Sequence, residues 1–144
     1  MNAKEYLMRV RKLNNRIKNL DEEIRDLRSE IITVRSSWPD GNPHGTGVSN
    51  PVEEAVEKLT DQLQSIELKL LMLHSQLWST RMEIIETIGK VEHVEHNRLL
   101  YLRYVQCDMW EQIAVEMGYT YQWVAGTLHS NALQDVEKIL NEKG

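Results

Sequence analysis

The sequence has few of the residues on which disulfide-rich or metal-binding proteins depend. Its 144 residues include one cysteine, three prolines, seven glycines and no phenylalanine. The single cysteine, Cys107, excludes an intrachain disulfide and a zinc site built from several cysteines, so we expect a reducing, cytoplasmic environment. No apolar run approaches 18 residues, and the start of the sequence lacks the apolar core of a signal peptide. We therefore expect an intracellular protein with no membrane partner.

Motifs that carry enzyme chemistry are also missing. The sequence has no glycine-rich phosphate loop, no serine nucleophile motif and no carboxylate pair that stands out from a charged helix surface. His93 and His96 are three residues apart, but no third ligand has suitable spacing. Zinc sites use at least three protein ligands, so two histidines are too few. We expect no catalytic residue, no metal and no cofactor, and interpret these histidines as part of a solvated helix junction.

The composition that is present is typical of a helix-rich globular protein, with 41% apolar and 27% charged residues. The net charge of −5 is unevenly distributed: residues 1–38 carry +3, residues 39–96 carry −6 and residues 97–144 carry −2. The basic and acidic segments either neutralise each other, within the fold or across a dimer, or the basic cluster contacts DNA phosphates. The cluster consists of Lys4, Arg9, Arg11, Lys12, Arg16 and Lys18.

Two long segments have apolar residues that alternate in spacing between three and four, which predicts two coiled-coil helices. The first helix is expected from about Ala3 to Arg35 and the second from Pro51 to Ile88. Residues 36–51 form a loop rich in glycine and proline that no helix can cross. Asn50, Pro51 and the glutamates after them are typical of a helix N-terminus.

Residues 1–90 are therefore predicted to form an antiparallel helical hairpin. The apolar residues that alternate in spacing form a seam along each helix. A lone hairpin covers only one side of each seam, and Leu68, Leu71 and Met72 add apolar surface beside the second seam. We expect self-association as a dimer or a higher even-numbered oligomer. The residues expected to mediate it are Val10, Leu13, Ile17, Leu20, Ile24, Leu27, Leu63, Ile66, Leu70 and Leu73.

Residues 91–144 are predicted to form a second module of three helices, so the fold class is all-α. Within "DMWEQIAVEMGYTYQWVAGTLHSNAL", Asp108 is expected to cap a helix that begins at Met109, with Glu111 completing a capping box. Gly118 is the natural left-handed end of that helix, and Thr120 caps the next one, which continues to about Leu140.

Even helical spacing assigns two faces to this last helix. The inward face comprises Tyr121, Val124, Ala125, Leu128, Ala132, Val136 and Ile139. The outward face comprises Trp123, Gly126, Thr127, Ser130 and Gln134, and it carries no Lys or Arg.

The pattern "LLYLRYV…WEQIAVEMGYT…V…LH…AL" resembles the fourth region of bacterial sigma factors. It is still more similar to the phage transcriptional activators of the RinA/ArpU type, which join such a helix-turn-helix to a helical N-terminal part. The match covers about 45 residues and is carried by Arg103–Tyr104, Ile113–Ala114, Gly118, Leu128–His129 and Ala132–Leu133. The interval from Val124 to Ala132 is one residue longer than in the sigma pattern.

The resemblance implies a transcriptional regulator of phage or prophage origin in the bacterial cytoplasm, with promoter DNA and RNA polymerase as partners. Its last helix would enter the major groove, with Gln122 suited to an adenine edge and Trp123 or Thr127 to a thymine methyl. Arg98 and Arg103 would anchor phosphates. The implied DNA-contacting residues are Thr120, Tyr121, Gln122, Trp123, Gly126, Thr127, Ser130, Arg98 and Arg103.

A different class of function stays open at this point. The module would then bind RNA polymerase or another regulator without contacting DNA, and Trp123 would serve a protein interface or pack on the N-terminal helices. The uncharged outward face is compatible with both hypotheses.

Overall fold

The structure is a computed structural model that describes residues 1–37 and 50–143, and in these residues it is all-α, as predicted. Most of the predicted loop, including His44, lies outside the described residues. The helices are α1 (Ala3–Leu7), α2 (Arg9–Ser36), α3 (Pro51–Gly89), α4 (Val94–Leu100), α5 (Trp110–Met117) and α6 (His129–Lys143). Two π-helical segments, Tyr101–Val105 and Trp123–Leu128, extend α4 and lead into α6.

The first two helices form one nearly continuous run that is interrupted only at Met8. The Met8 amide donates to the Lys4 carbonyl at 2.9 Å, and the Lys12 amide donates to the Met8 carbonyl at 3.0 Å. Asn2 caps the start, because its side-chain oxygen accepts the Glu5 amide at 2.8 Å. The helix predicted from about Ala3 to Arg35 is thus confirmed to within one residue at its end.

Helix α3 begins where its capping residues predict. The side-chain oxygen of Asn50 accepts the Val52 amide at 3.0 Å, and Pro51 occupies the first helical position. The helix ends at Gly89, where the Asn97 side chain donates to the carbonyls of Ile88 at 2.9 Å and Val91 at 3.2 Å. Asn97 therefore links α4 to the end of α3, where the Ile88 carbonyl also accepts the Val91 amide at 2.9 Å.

The chain divides into two compact units, Met1–Asn14 with Gln76–Gly144, and Asn15–Ser75. This grouping differs from the predicted boundary at residue 90. The reason is that α1 packs against α6, with the Ala3 amide donating to the Glu137 carboxylate at 2.8 Å. A contact between residues 134 positions apart has no signature in local sequence periodicity.

In the unit that contains both chain ends, α1 and the start of α2 run antiparallel to the end of α3. The hydroxyls of Tyr6 and Thr87 share a hydrogen bond of 2.8 Å, and Arg9 forms an ion pair with Glu83. All six α-helices contribute side chains to the core of this unit. Its fully buried members include Leu7, Val10, Ile84, Leu99, Leu100, Leu102, Ile113, Val124 and Val136.

In the unit Asn15–Ser75, α2 from residue 15 onward and α3 up to residue 75 cover their seam residues fully or partly. Ile24, Ile31 and Leu73 are buried, and Arg28 forms an ion pair with Glu67 at 3.1 Å. Both side chains of that pair are largely exposed, so we expect the pair to contribute less than about 1 kcal/mol. Burial of the seam is therefore the main stabilising interaction of this unit.

The predicted cap of α5 is wrong by one residue. The helix begins at Trp110, and its N-cap is Met109, whose amide donates to the side-chain oxygen of Gln112 at 3.0 Å. Gln112 therefore takes the part that was assigned to Glu111. Glutamine accepts a backbone amide as glutamate does.

Among the described helices, none combines the length and the apolar character that crossing a membrane requires.

Candidate nucleic-acid interface

The turn between α5 and the last helical run is fixed at both ends, as predicted. Gly118 has a φ of +73°, and the Tyr119 amide donates to the Ala114 carbonyl at 3.0 Å. This left-handed conformation is strained for any residue with a Cβ, which explains the glycine. After the turn, the Thr120 hydroxyl accepts the Trp123 amide at 3.2 Å and starts the next helix.

The helical run that follows Gly118 presents a row of side chains that the described chain leaves uncovered. Tyr121 is 45% exposed and Trp123 is 43% exposed. The predicted DNA-contacting residues in this row, all of them exposed, are Thr120, Tyr121, Gln122, Trp123, Gly126, Thr127 and Ser130. Val124, Leu128, Ala132 and Val136 are buried on the other side, so the run is amphipathic, with an uncharged polar and aromatic outer face.

The π-helical segment Trp123–Leu128 changes which residues face inward. Its i→i+5 hydrogen bonds, such as the bond from the His129 amide to the Val124 carbonyl, add one residue to a turn. Tyr121, assigned to the inward face by even spacing, is exposed instead, and His129 is buried. The extra residue also accounts for the longer interval between Val124 and Ala132 seen in the sequence.

Gly126 leaves a gap in the exposed row. A Cβ built at this position would meet no neighbouring atom within 4 Å, and the backbone there is π-helical, with a φ outside the left-handed region. Packing within the described chain therefore does not require glycine. The lack of a side chain lets another molecule approach the backbone at this point.

His129 is a buried polar residue that the sequence pattern did not identify. Its imidazole shares a 2.5 Å hydrogen bond with the Tyr104 hydroxyl, and the Trp110 ring packs edge-on with the ring centroids 4.6 Å apart. Burial lowers the pKa of His129 to about 4, and the positive charges of Lys4 and Arg103 act in the same direction. The imidazole is therefore neutral near pH 7 and helps to join the helix before the turn to the helix after it.

The two arginines predicted to anchor phosphates have different surroundings. Arg98 donates to the Glu116 carboxylate at 2.6 Å, so its charge is compensated within the protein. The guanidinium of Arg103 lies 4.4 Å from the centre of the Trp110 ring and donates to the Asp108 carbonyl at 3.0 Å. Burial lowers the pKa of Arg103, and the nearby positive charge of Arg11 lowers it further.

An aromatic cleft borders the turn on its other side. Its volume is about 590 Å³, and its lining includes His93, Glu95, Tyr119 and Trp123. The Tyr119 hydroxyl donates to the Glu95 carboxylate at 2.8 Å, which raises the pKa of Tyr119, and its ring centroid lies 6.4 Å from that of Trp123. The cleft thus joins a carboxylate to exposed aromatic surface.

The predicted solvated histidine junction is only half exposed. His96 is buried and its ring nitrogen lies 2.5 Å from the Asp135 carboxylate, whereas His93 is exposed and its ring nitrogen accepts the His96 amide at 3.3 Å. The two rings stack with their centroids 3.7 Å apart. Within residues 1–37 and 50–143, no three metal-binding side chains form a cluster.

The residues predicted to mediate oligomerisation are covered to different extents within one chain. Val10, Leu13, Ile17, Ile24 and Leu73 are buried, and Leu20, Leu27, Leu63, Ile66 and Leu70 are partly buried. By contrast, Leu68, Leu71 and Met72 are between 61% and 67% exposed. The seam residues are therefore covered, fully or partly, by contacts within one chain. The apolar surface that stays uncovered in the unit Asn15–Ser75 includes these three side chains of α3.

Comparison with protein-family models, curated protein sequences and solved structures gives no match to this chain.

Proposed function

We propose that this protein is a DNA-binding transcriptional regulator that docks the helical run after Gly118 in the major groove of promoter DNA. The exposed row from Thr120 to Ser130 is the observation that carries the proposal. It begins at a rigid turn and lies on a run whose opposite side is buried. Helix-turn-helix proteins present the N-terminal part of the second helix to base edges in this manner.

The chemistry of the exposed row suits base contacts. The Gln122 amide can both donate to and accept from an adenine edge, and Thr127 offers a methyl group to thymine. At Gly126 no side chain holds the helix backbone away from the groove. An exposed row without Lys or Arg is compatible with direct readout, but phosphate contacts must then come from other parts of the protein.

Charge supports a multimeric form of the regulator. The unit that contains the row has ten Lys and Arg against eleven Asp and Glu. Phosphate neutralisation supplies most non-specific affinity, so one such unit is a weak DNA ligand. Several copies on one duplex would multiply the few phosphate contacts that each copy makes.

Helix α3 supplies the surface that we propose for self-association. Leu68, Leu71 and Met72 are exposed on it, and residues 70–80 contain no Asp, Glu, Lys or Arg. The cores of protein interfaces are depleted in charge and enriched in methionine and aromatic residues. A second copy of this chain is the partner that this part of the proposal names.

A selection experiment tests DNA binding directly. The full-length protein is incubated with a pool of random duplexes at low salt, and bound duplexes are recovered and sequenced. We expect enrichment of a short sequence, and Trp123→Ala should weaken its binding without changing the mass of the oligomer. Ile32→Ala is the control, since Ile32 is an exposed apolar residue of α2 outside both proposed surfaces. Equal binding of all duplexes, or none, would contradict sequence-specific regulation.

A second function is favoured by the aromatic cleft. Trp123 and Tyr119 are exposed next to the Glu95 carboxylate, a combination that suits a protein partner such as RNA polymerase or another regulator. Under this hypothesis Trp123→Ala abolishes co-purification of the partner, and no duplex is enriched by the wild-type protein. Enrichment of a duplex together with retention of the partner by the variant would count against it.

A further inference from the structure

Two arginines that are 92 positions apart in the sequence lie together at the loop that precedes α5. Arg11 in α2 donates to the Cys107 carbonyl at 3.4 Å, and Arg103 in the π-helical segment donates to the Asp108 carbonyl at 3.0 Å. These carbonyls belong to consecutive residues, so both guanidinium groups are held against one short loop. Cys107 has a φ of +59°, an uncommon backbone conformation for this residue type, which shapes the loop.

The two positive charges have no carboxylate partner in the described part of the chain. Three other arginines, Arg9, Arg28 and Arg98, form ion pairs with glutamates, whereas no ion pair involves Arg11 or Arg103 in residues 1–37 and 50–143. Both groups are also partly buried, which makes their mutual repulsion more costly than on an open surface. Such a pair is stabilised when an anion binds to it.

Each guanidinium keeps donors available after its bond to the loop. A guanidinium has five N–H groups, and its planar fork matches two oxygens of a phosphate or a carboxylate. The ring of Trp110 under Arg103 holds that group in place, so less conformational entropy is lost when it binds a ligand. Trp110 is also the first residue of α5, whose positive helix end favours an anion.

Arg103 is also linked by packing to the helical run that carries the exposed row. Its guanidinium lies over the Trp110 ring, and that ring packs edge-on against His129, the residue before Ser130. A nucleic-acid backbone that follows a helix docked in the major groove would pass near the first turn of that helix. Arg11 and Arg103 belong to the same compact unit as this helix and form no ion pair within its described residues, so they are available for that contact.

We propose that Arg11 and Arg103 form a phosphate-binding site that clamps one backbone phosphate of the bound DNA. This inference rests on the proposed function, and it assigns a DNA contact to the N-terminal helix. Arg11 belongs to the basic first helix and thus adds a positive charge to the acidic C-terminal module. The sequence alone gave no reason to select Arg11 from the six cations of the basic cluster.

Inorganic phosphate is the first probe, and it needs no DNA. In the full-length protein, the side-chain N–H signals of Arg11 and Arg103 are followed by NMR as phosphate is added at constant ionic strength. We expect both signals to shift and to saturate with one dissociation constant. Arg25 is exposed on the same long helix and is the internal control. Shifts of Arg11 and Arg103 that stay linear and equal to those of Arg25 would overturn the site.

Duplex DNA is the second probe. The negative slope of log K against log salt should become less steep in Arg11→Gln, by up to about 0.9, because the clamped phosphate loses one of its two cations. The matched control Arg25→Gln removes the same charge and should leave the slope unchanged. Arg11→Lys keeps the charge and should keep the slope, although its hydrogen bond to Cys107 differs. Circular dichroism at each salt concentration checks that the variants are folded.

The two probes separate the failure of the site from the failure of the proposed function. If the wild type binds duplex DNA but Arg11→Gln has an unchanged slope, the phosphate clamp is wrong and the DNA-binding proposal stands. If both arginines bind inorganic phosphate saturably but no duplex binds, the anion site stands and the DNA-binding proposal fails. If the slope also becomes less steep in Arg25→Gln, the effect is general charge attraction, and the clamp is overturned.

Discussion

At the scale of single residues, His129 shows how one buried polar group joins two helices. Tyr104 and His129 belong to segments on either side of the turn, and their side chains share a hydrogen bond in the core. A protonated imidazole at this position would place an uncompensated charge among apolar side chains. The stability of this core therefore depends on pH in the range where His129 titrates, most of which lies above the range in which exposed carboxylates titrate.

The first prediction concerns this pH dependence. The pKa of His129 is about 4 in the folded protein and about 6.5 when unfolded, so the unfolded chain binds more protons between these values. The contribution of His129 to stability is thus complete above pH 6.5 and declines as the pH falls towards 4. Urea unfolding at several pH values should show a smaller decline in His129→Gln than in the wild type. Equal declines would contradict the burial of a neutral imidazole.

The second prediction compares two glycines under the same substitution. Gly118→Ala should destabilise the protein by roughly 1–2 kcal/mol, because alanine is strained at a φ of +73°. Gly126→Ala should stabilise it by up to roughly 1 kcal/mol, since the helical position has free space for a Cβ. Thermal unfolding measures both changes. Under the proposed function, Gly126→Ala should also weaken DNA binding, which would show that its glycine serves contact rather than folding.

At the scale of helices, local chemistry predicted the ends better than the faces. The caps at Asn50, Gly118 and Thr120 follow from side chains and backbone angles within four residues, and the structure has them where the sequence indicated. The faces of the last helix depend on an even period along its whole length. One π-helical turn shifts that period, so Tyr121 is exposed although it was assigned to the inward face, and His129, which was assigned to neither face, is buried.

The third prediction tests the contact between α1 and α6. Leu7 is fully buried in α1, so Leu7→Ala should lower the free energy of unfolding by about 2–5 kcal/mol. Hydrogen exchange should accelerate in α6, at the amide of Val136 for example, because α1 packs on that helix. Ile32→Ala is the control, since Ile32 is an exposed residue of α2. Unchanged protection of α6 in Leu7→Ala would mean that α1 does not support the C-terminal helix.

At the scale of the whole molecule, the all-α class followed from composition and periodicity, but the grouping of the helices did not. The sequence placed a boundary at residue 90, whereas the start of the chain belongs to the same compact unit as its end. The hydrogen bonds of Ala3 to Glu137 and of Arg11 to Cys107 join residues about a hundred positions apart. Such pairings depend on tertiary packing, for which one sequence carries no direct signal.

The same limit applies to the candidate interface. Its exposed row could be predicted almost completely, because the turn and its cap are local features. The state of its cations could not be predicted, since Arg98 is neutralised by Glu116 and Arg103 has Arg11 as a neighbour only in the folded chain. Charge counts along the sequence therefore showed that the C-terminal module has too few positive charges for tight DNA binding. They did not show which cations from other parts of the chain lie beside it in the folded protein.

The fourth prediction concerns assembly. Leu71→Glu places a charge in the middle of the exposed apolar side chains of α3, so the proposed oligomer should dissociate while the helix content is unchanged. Sedimentation equilibrium and circular dichroism measure these two properties. Gln64→Glu, at an exposed polar position of the same helix, should leave the mass unchanged. A monomeric wild type, or a variant of unchanged mass, would contradict the proposed surface.

The most direct test of the central claim is the affinity of the full-length protein for its selected duplex as a function of salt. Fluorescence anisotropy between about 50 mM and 200 mM salt should give tight binding that weakens steeply, as expected when several phosphates are neutralised. Gln122→Ala should reduce the preference at one base pair by roughly 1–3 kcal/mol and leave the salt slope unchanged. Absence of binding to any duplex at about 50 mM salt would contradict the account.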